Sequence, residues 1–473
     1  MHRSEETVGS LSPLNAWAFS FACMIGWAAF VMPATIFLPR GGILPSLLAF
    51  LIGTGVMCAV ALNFSFLGNT YPGHGGIYSL VKIALSRSSA FIATWGLGLA
   101  YLCCICLNAK AMAMLLRTII EEVFSFDFRI YVPQSDTLLI ELAFILVELL
   151  LFAVVNVRSI RVAARLQTIG AVTLLGGIIM MFLASLLAAE QPLHAFQPLS
   201  APDTNPAMGF MSVFLMIPWA FVGFDSISKV SQEFGFPVRK LSRIMLISVC
   251  CGGFAYIANI LTTLFGVPMV YSSWQDYIVT FQDAAGAESY PIAVIASASM
   301  GRMGTVIFFL STISATLTGL FGFSTSLSRL IYSVSEDKLI SPSLSVPHEK
   351  TGMPSRAIWL VFFLAILMSL LRDSFDIIEE VASFGTAVGF MFCSFSAMLI
   401  AFKRHKRLYV FTGAVGVVMS LCWIFFSVVR VRGFSSPLSA RSVLLLAVWV
   451  FMGIALYSFS IRRSRERNLK HTG

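Results

Sequence analysis

Charged residues are scarce in this chain: Asp, Glu, Lys and Arg together make up 12% of it, against roughly a quarter in ordinary soluble domains. So few charges cannot solvate the surface of a globular protein, which excludes a soluble fold. A Gly-x-x-x-x-Gly-Lys-Ser/Thr stretch is missing, and with it the phosphate-cradling loop of ATP-driven pumps. The six histidines lie mostly in loops and termini, and neither paired acids on one helix face nor a nucleophile motif is evident, which argues against an enzyme. Nine cysteines fall mostly within apolar runs, where they act as small hydrophobes. Cys103 and Cys106 have C-x-x-C spacing, but no histidine or second pair accompanies them, so neither a metal nor a cofactor is expected. No Pro/Gly/Ser-rich linker separates soluble domains. The polar start, residues 1–10, leads into a full apolar segment with no small-residue cleavage pattern, so no cleavable signal peptide is expected.

Hydrophobic residues are abundant instead, at 58% of the chain, with a mean hydropathy of +0.86. Stretches of about 20 apolar residues, enough to cross ~30 Å of hydrocarbon, fall near 15–39, 43–67, 89–119, 137–156, 163–188, 208–229, 244–266, 304–334, 356–371, 376–402, 408–430 and 440–461. These are numbered segments 1 to 12. The expected fold is an all-α polytopic membrane protein with twelve transmembrane helices. An even number of crossings puts both termini on one side. That side, counting the loops and tails, carries 23 of the 32 Lys and Arg, among them Arg3, Lys82, Arg87, Lys229 and the Lys403–Arg407 turn; eight lie opposite, and Lys110 sits inside a segment. By the positive-inside rule both termini are cytoplasmic, in a plasma (inner) membrane. The net charge of +9 is thus a matter of topology and calls for no nucleic-acid partner.

Segments 1 and 6 are interrupted in the middle. The first break is read at Met24-Ile25-Gly26-Trp27-Ala28-Ala29-Phe30, with Pro33 following; the second at Ile217-Pro218-Trp219-Ala220-Phe221-Val222-Gly223-Phe224. A helix opened within a bilayer frees backbone N–H and C=O groups, which survive only when buried in protein or lining a watery cavity. Corresponding breaks in two halves point to a transporter's solute site. Segments 1–5 and 6–10 then form two inverted repeats, about 15–188 and 208–402, within a core of 15–402. Segments 11 and 12 (403–461) are peripheral additions, flanked by a short tail at 1–14 and a basic one at 462–473.

Further stretches follow in order. Leu38-Pro39-Arg40-Gly41-Gly42 and Tyr71-Pro72-Gly73-His74-Gly75-Gly76-Ile77-Tyr78 come after the first break; Trp219-Ala220-Phe221-Val222-Gly223-Phe224-Asp225-Ser226, with Glu233, Pro237 and Arg239, surrounds the second. Ser328-Arg329-Leu330-Ile331-Tyr332, Asp337, Pro354-Ser355-Arg356-Ala357 and Ser383-Phe384-Gly385-Thr386 complete the set. Over residues 15 to 407 the chain resembles the amino acid–polyamine–organocation permeases. The resemblance implies secondary transport of amino acids or related amines by alternating access, driven by proton symport or substrate exchange; an amino-acid sensor on the same fold is the alternative. The expected partners are the solute, the lipid bilayer and a coupling proton or counter-substrate, and a homodimer is left open. The chain departs from the family's habit in having Gly26-Trp27-Ala28 in place of a small-residue triplet, Ser242 where a proline is common, and no lysine in residues 166 to 188.

An amino acid presents a carboxylate and an ammonium that must be desolvated together. The half-helix beginning after Gly26 offers N–H groups to the carboxylate, while carbonyls near Met24, Ile25, Trp219 and Val222 can accept from the ammonium. Specificity then falls to side chains: Trp27, Trp219, Phe221 and Phe224, with Ala28 and Ala29, predict an apolar, aromatic-lined pocket. Lys110, Glu148 and Asp225 lie well inside segments, where a charge must face protein or water. Asp225, Lys110 and Glu148 are candidates for coupling or gating; Asp225 reads equally as a hydrogen-bonded strut to the broken backbone, and Lys110 as neutralising Asp225 or Glu148, standing in for a coupling cation or meeting an acidic group of the solute. Arg329 with Asp337 reads as an inner gate or a loop fastener. The connection at 267–290 reads as solvated, with a short helix around Trp274 as the alternative.

Overall fold

The computed structural model describes residues 11–72, 76–124, 138–158, 160–191, 193, 195–202, 204–229, 235–280, 290–348, 353–371, 374–429 and 438–472. Among them, helices are built from the apolar runs and end where glycine, proline or polar clusters intervene. Ser12 starts segment 1 with a capping box: its hydroxyl accepts from Asn15 N–H (3.2 Å) and the Asn15 side chain accepts from Ser12 N–H (3.2 Å), with Pro13 in the first turn.

Nine helices among the described residues are long and apolar enough to cross a membrane, namely segments 2, 3, 4, 5, 7, 8, 10, 11 and 12. Segment 1 makes a tenth as a bent pair, Pro13–Met24 and Ala28–Gly41, kinked by 54°. Of the twelve expected crossings, segment 9 is the shorter helix Ser355–Ser369, and segment 6 is three pieces, Pro206–Phe214, Ile217–Phe221 and Ser226–Lys229. The chain is therefore an all-helical, polytopic integral membrane protein.

Burial sorts these helices into centre and rim. Segment 3, Arg87–Phe124, has 78% of its most apolar window buried inside the protein, whereas segment 12, Ala440–Thr472, has 17%. A face that is mostly uncovered and apolar suits lipid rather than water. Segment 3 packs against segment 8 (Arg302–Glu336) and segment 10 (Ser374–Lys403); segment 1 packs against segments 5, 7 and 8. Segment 12 is clasped to segment 3 by two indoles. Trp95 Nε1 donates to the Trp449 carbonyl (2.9 Å), Trp449 Nε1 donates to the Trp95 carbonyl (3.1 Å), and the rings stack 4.4 Å apart.

The 267–290 connection is more than solvated loop. Trp274–Val279 is a helix whose first residue is buried and whose indole donates to the Pro198 carbonyl (2.9 Å), fastening one long connection to the other.

Candidate functional site

Both breaks are present, and both are tighter than the sequence reading. In segment 1 the helix stops at Met24; Ile25 turns extended (φ −102°, ψ 103°), and helix resumes at Ala28. Ala29 N–H bonds to the Gly26 carbonyl (3.2 Å) and Phe30 N–H to the Trp27 carbonyl (2.9 Å). Among the described residues, the N–H groups of Gly26, Trp27 and Ala28 have no such partner, as expected at the start of a helix. Pro33 does not widen the break but opens a π-turn, Pro33–Phe37, inside continuing helix.

In segment 6 the opening lies further along than the sequence reading put it. Ile217–Phe221 is helical, with Pro218 in its first turn, where the missing N–H costs nothing. The unwound stretch is Val222 to Asp225, and Gly223 sits at φ +115°. A Cβ on Gly223 would stand 2.9 Å from the carbonyl carbon and oxygen of Cys23. The two openings therefore touch, backbone against backbone, and glycine permits both the conformation and the approach.

Side chains from neighbouring segments satisfy part of the freed backbone. Thr318 donates to the Ala22 carbonyl (3.1 Å), Asn259 to that of Ala29 (2.7 Å), Tyr256 to that of Ala220 (3.2 Å) and Ser20 to that of Phe224 (2.9 Å). The Trp219 carbonyl accepts from Val222 N–H (3.2 Å). What is left over faces a cavity of about 40 Å³ between the two breaks, room for a few water molecules rather than an amino acid. Met24, Gly26, Trp27, Ala28, Trp219 and Val222 line it. Ile25 and Ala29 are fully buried and do not. Nor do Phe221, which packs towards Tyr256, and Phe224, which packs between Phe64 and Phe390.

Segments 3, 7, 8 and 10 complete the wall with Asn108, Tyr256, Phe323 and Phe375, and the Phe375 ring lies 5.4 Å from that of Trp27. Sequence reasoning missed Asn108. Its amide donates to the Cys104 carbonyl (2.8 Å), and a Cβ on either Gly26 or Gly319 would come within 2.8 Å of it. Asn108 thus wedges between segments 1 and 8 at the break. The available signal was an amide in the middle of an apolar run, two residues before Lys110, whose charge drew attention instead.

Residues 11–462 match the family model described as amino acid permease. The chain belongs to the amino acid permease family. This agrees with the amino acid–polyamine–organocation resemblance. The permease is similar to the large neutral amino acids transporter small subunit 2 of Mus musculus, 26% identical over 369 residues, which cover 76% of this chain and 64% of that protein. The chain thus spans slightly under two thirds of that relative. It is also similar to the branched-chain amino acid permease BcaP of Bacillus subtilis (strain 168), 22% identical over 474 residues (97% and 94% of the two chains), and to the low-affinity putrescine importer PlaP of Escherichia coli (strain K12), 23% identical over 394 residues (80% and 79%). The relatives are transporters, not enzymes.

The permease pairs its buried charges differently from the sequence reading. Asp225, fully buried at the end of the unwound stretch, is met by Lys229, four residues on in the helix that follows, at 2.7 Å, and by the hydroxyl of Tyr101. Lys229 was counted with the loop charges, yet it is 5% exposed. The cation beside Asp225 is thus Lys229, not Lys110. Lys110 is buried in segment 3, with its ammonium 3.5 Å from the Leu371 carbonyl and 5.9 Å from the centre of the Phe375 ring. Glu148 is buried in segment 4 and, among the described residues, neither carboxyl oxygen has a hydrogen-bond partner, so Lys110 does not neutralise it. Arg329 donates to the Lys229 carbonyl (3.0 Å), capping the inner piece of segment 6, while Asp337 pairs with Lys82 (2.8 Å) and Arg87 (3.0 Å). The expected contact between Arg329 and Asp337 is replaced by these two.

Proposed function

We propose that this permease is a secondary transporter of neutral amino acids that works by alternating access across a plasma (inner) membrane, with both termini cytoplasmic. The observation that carries the substrate class is the wall of the central cavity: among the described residues lining it, none bears a formal charge, and rings and thioethers dominate. Unpaired N–H groups at Gly26, Trp27 and Ala28 suit a carboxylate, and nearby carbonyls suit an ammonium. A second cationic group on the solute would enter a wall with no carboxylate to receive it, at a heavy desolvation cost. The transported side chain is therefore uncharged, like those named for the neutral and branched-chain relatives and unlike putrescine.

Energy comes from a counter-substrate. Asp225, at the end of the second opening, is already met by Lys229 at 2.7 Å, an internal partner that favours exchange over proton coupling. Proteoliposomes loaded with unlabelled leucine should take up labelled leucine much faster than empty ones, with putrescine and lysine failing to compete. Concentrative uptake into empty vesicles driven by a pH gradient alone would replace exchange with proton symport; competition by putrescine would overturn the substrate class.

A further inference from the structure

Two cysteines from distant parts of the chain meet on the outer face of the helix bundle. Cys58 lies near the middle of segment 2 (Ile43–Thr70) and Cys250 lies in segment 7 (Leu241–Phe265), with their sulfurs 3.9 Å apart. The approach belongs to a continuous antiparallel seam. Along it the Phe50 ring stacks 4.7 Å from that of Tyr256, a Cβ on Gly253 would stand 2.1 Å from the Thr54 hydroxyl oxygen, and the Asn69 amide donates to the Ser242 hydroxyl (3.3 Å). Contacts on both sides of the thiols therefore fix their register, and Gly253 lets the two backbones come close.

The pair faces lipid. Cys250 is exposed and Cys58 half-buried. Leu51 and Ile52 on segment 2, with Ile247 and Phe254 on segment 7, are exposed too, and so apolar a surface suits hydrocarbon rather than water. Reagents dissolved in the membrane reach these thiols, whereas charged, water-borne ones do not. The two helices also grip both breaks. Segment 7 donates from Asn259 to the Ala29 carbonyl and from Tyr256 to the Ala220 carbonyl, and segment 2 sets Phe64 against Phe224.

We propose that Cys58 and Cys250 form a redox-modification site: a two-electron oxidant of the quinone class, dissolved in the bilayer, closes them to a disulfide that staples segment 2 to segment 7. Two S–H bonds break and one S–S bond forms; both electrons and both protons pass to the quinone, which leaves as the hydroquinone. Rotation about the two Cα–Cβ bonds brings the sulfurs to the ~2.05 Å of the bond, while the seam holds the backbones in place. The staple closes a long loop and so restrains the unfolded chain. It stiffens the frame around the breaks and leaves the gap between segments 1 and 6 unbridged. The inference is independent of the solute carried.

The test exposes the purified full chain in lipid nanodiscs to decylubiquinone, then alkylates the remaining thiols with N-ethylmaleimide before unreduced digestion and mass spectrometry. Two of the nine thiols should be lost, in one peptide pair joining Cys58 to Cys250, with one hydroquinone formed per chain; dithiothreitol should reverse the change. The melting temperature should rise by several degrees, and Cys58→Ser and Cys250→Ser should each abolish both the linked peptide and the rise. Oxidised glutathione, charged and water-soluble, should leave every thiol free. A full set of free thiols after quinone treatment, a linked peptide joining other cysteines, or closure by oxidised glutathione but not by the quinone would each overturn the proposal.

Discussion

Asp225, Lys229 and Tyr101 form a buried charge cluster. Lys229 reaches back one turn to the carboxylate, and its ammonium also stands 4.6 Å from the centre of the Tyr101 ring. Removing one member of a buried pair leaves an uncompensated charge, at about 3–5 kcal/mol, whereas replacing both with apolar or neutral groups of similar shape is often close to neutral. Lys229→Met should therefore destabilise the permease strongly, and Asp225→Asn combined with Lys229→Met should recover most of the loss, both read as thermal unfolding in detergent. A double variant as unstable as the single one would remove the charge argument. Asp225 was legible in the sequence as an acid inside an apolar run. Lys229 was not, because at a segment end a lysine that reaches for the surface and one that folds inward look alike; the i,i+4 spacing to Asp225 was the clue. Asn108 escaped notice for a related reason: hydropathy weighs an amide lightly, and its role depends on two glycines, Gly26 and Gly319, from distant parts of the chain.

At the scale of elements, the two interruptions were readable because glycine, proline and paired aromatics punctuate otherwise uniform apolar runs. Their boundaries were not, since Pro218 marks the start of a helix as readily as the end of one, and only packing shows which. Gly223 decides where segment 6 opens. Adding a Cβ there imposes both a disfavoured backbone conformation, costing about 1–3 kcal/mol, and a clash with the main chain of Cys23. Gly223→Ala should lower the melting temperature by several degrees and abolish uptake, while Gly55→Ala, with open space around the added carbon, should change neither. Segment 12 offers a contrasting case. With so little of it buried, it depends on the clasp at Trp95 and Trp449. Trp449→Phe keeps the ring stack but deletes one hydrogen bond, worth about 1 kcal/mol, and should raise hydrogen exchange along segment 12 while leaving segment 3 protected.

For the molecule as a whole, the scarcity and sidedness of charge made the membrane class and the polytopic plan legible, but not how the charges pair at the end that carries the termini. There Asp337 gathers Lys82, Arg87 and Tyr78, tying the helix Gly76–Ala84 and the start of segment 3 to the end of segment 8. Burial acts to raise the Asp337 carboxyl, but hydrogen bonds from Lys82 and Tyr78 and the charge of Arg87 outweigh it and hold the group below its ordinary value of 3.8. A carboxyl lowered on folding contributes stability that is complete above its unfolded value and is lost as pH falls through the folded one. Melting temperature should accordingly decline as pH is lowered from about 5 to about 3, with a shallower decline in Asp337→Asn.

The narrowness of the gap between segments 1 and 6 has an electrical corollary. With Trp27, Trp219 and Phe375 drawn in around a space that admits only a few waters, the gap between the two breaks has no room for bulk water, and the empty permease should behave as an insulator. Vesicles reconstituted with it should hold a membrane potential as long as bare lipid does, and whatever current accompanies transport should appear only when solute props the rings apart.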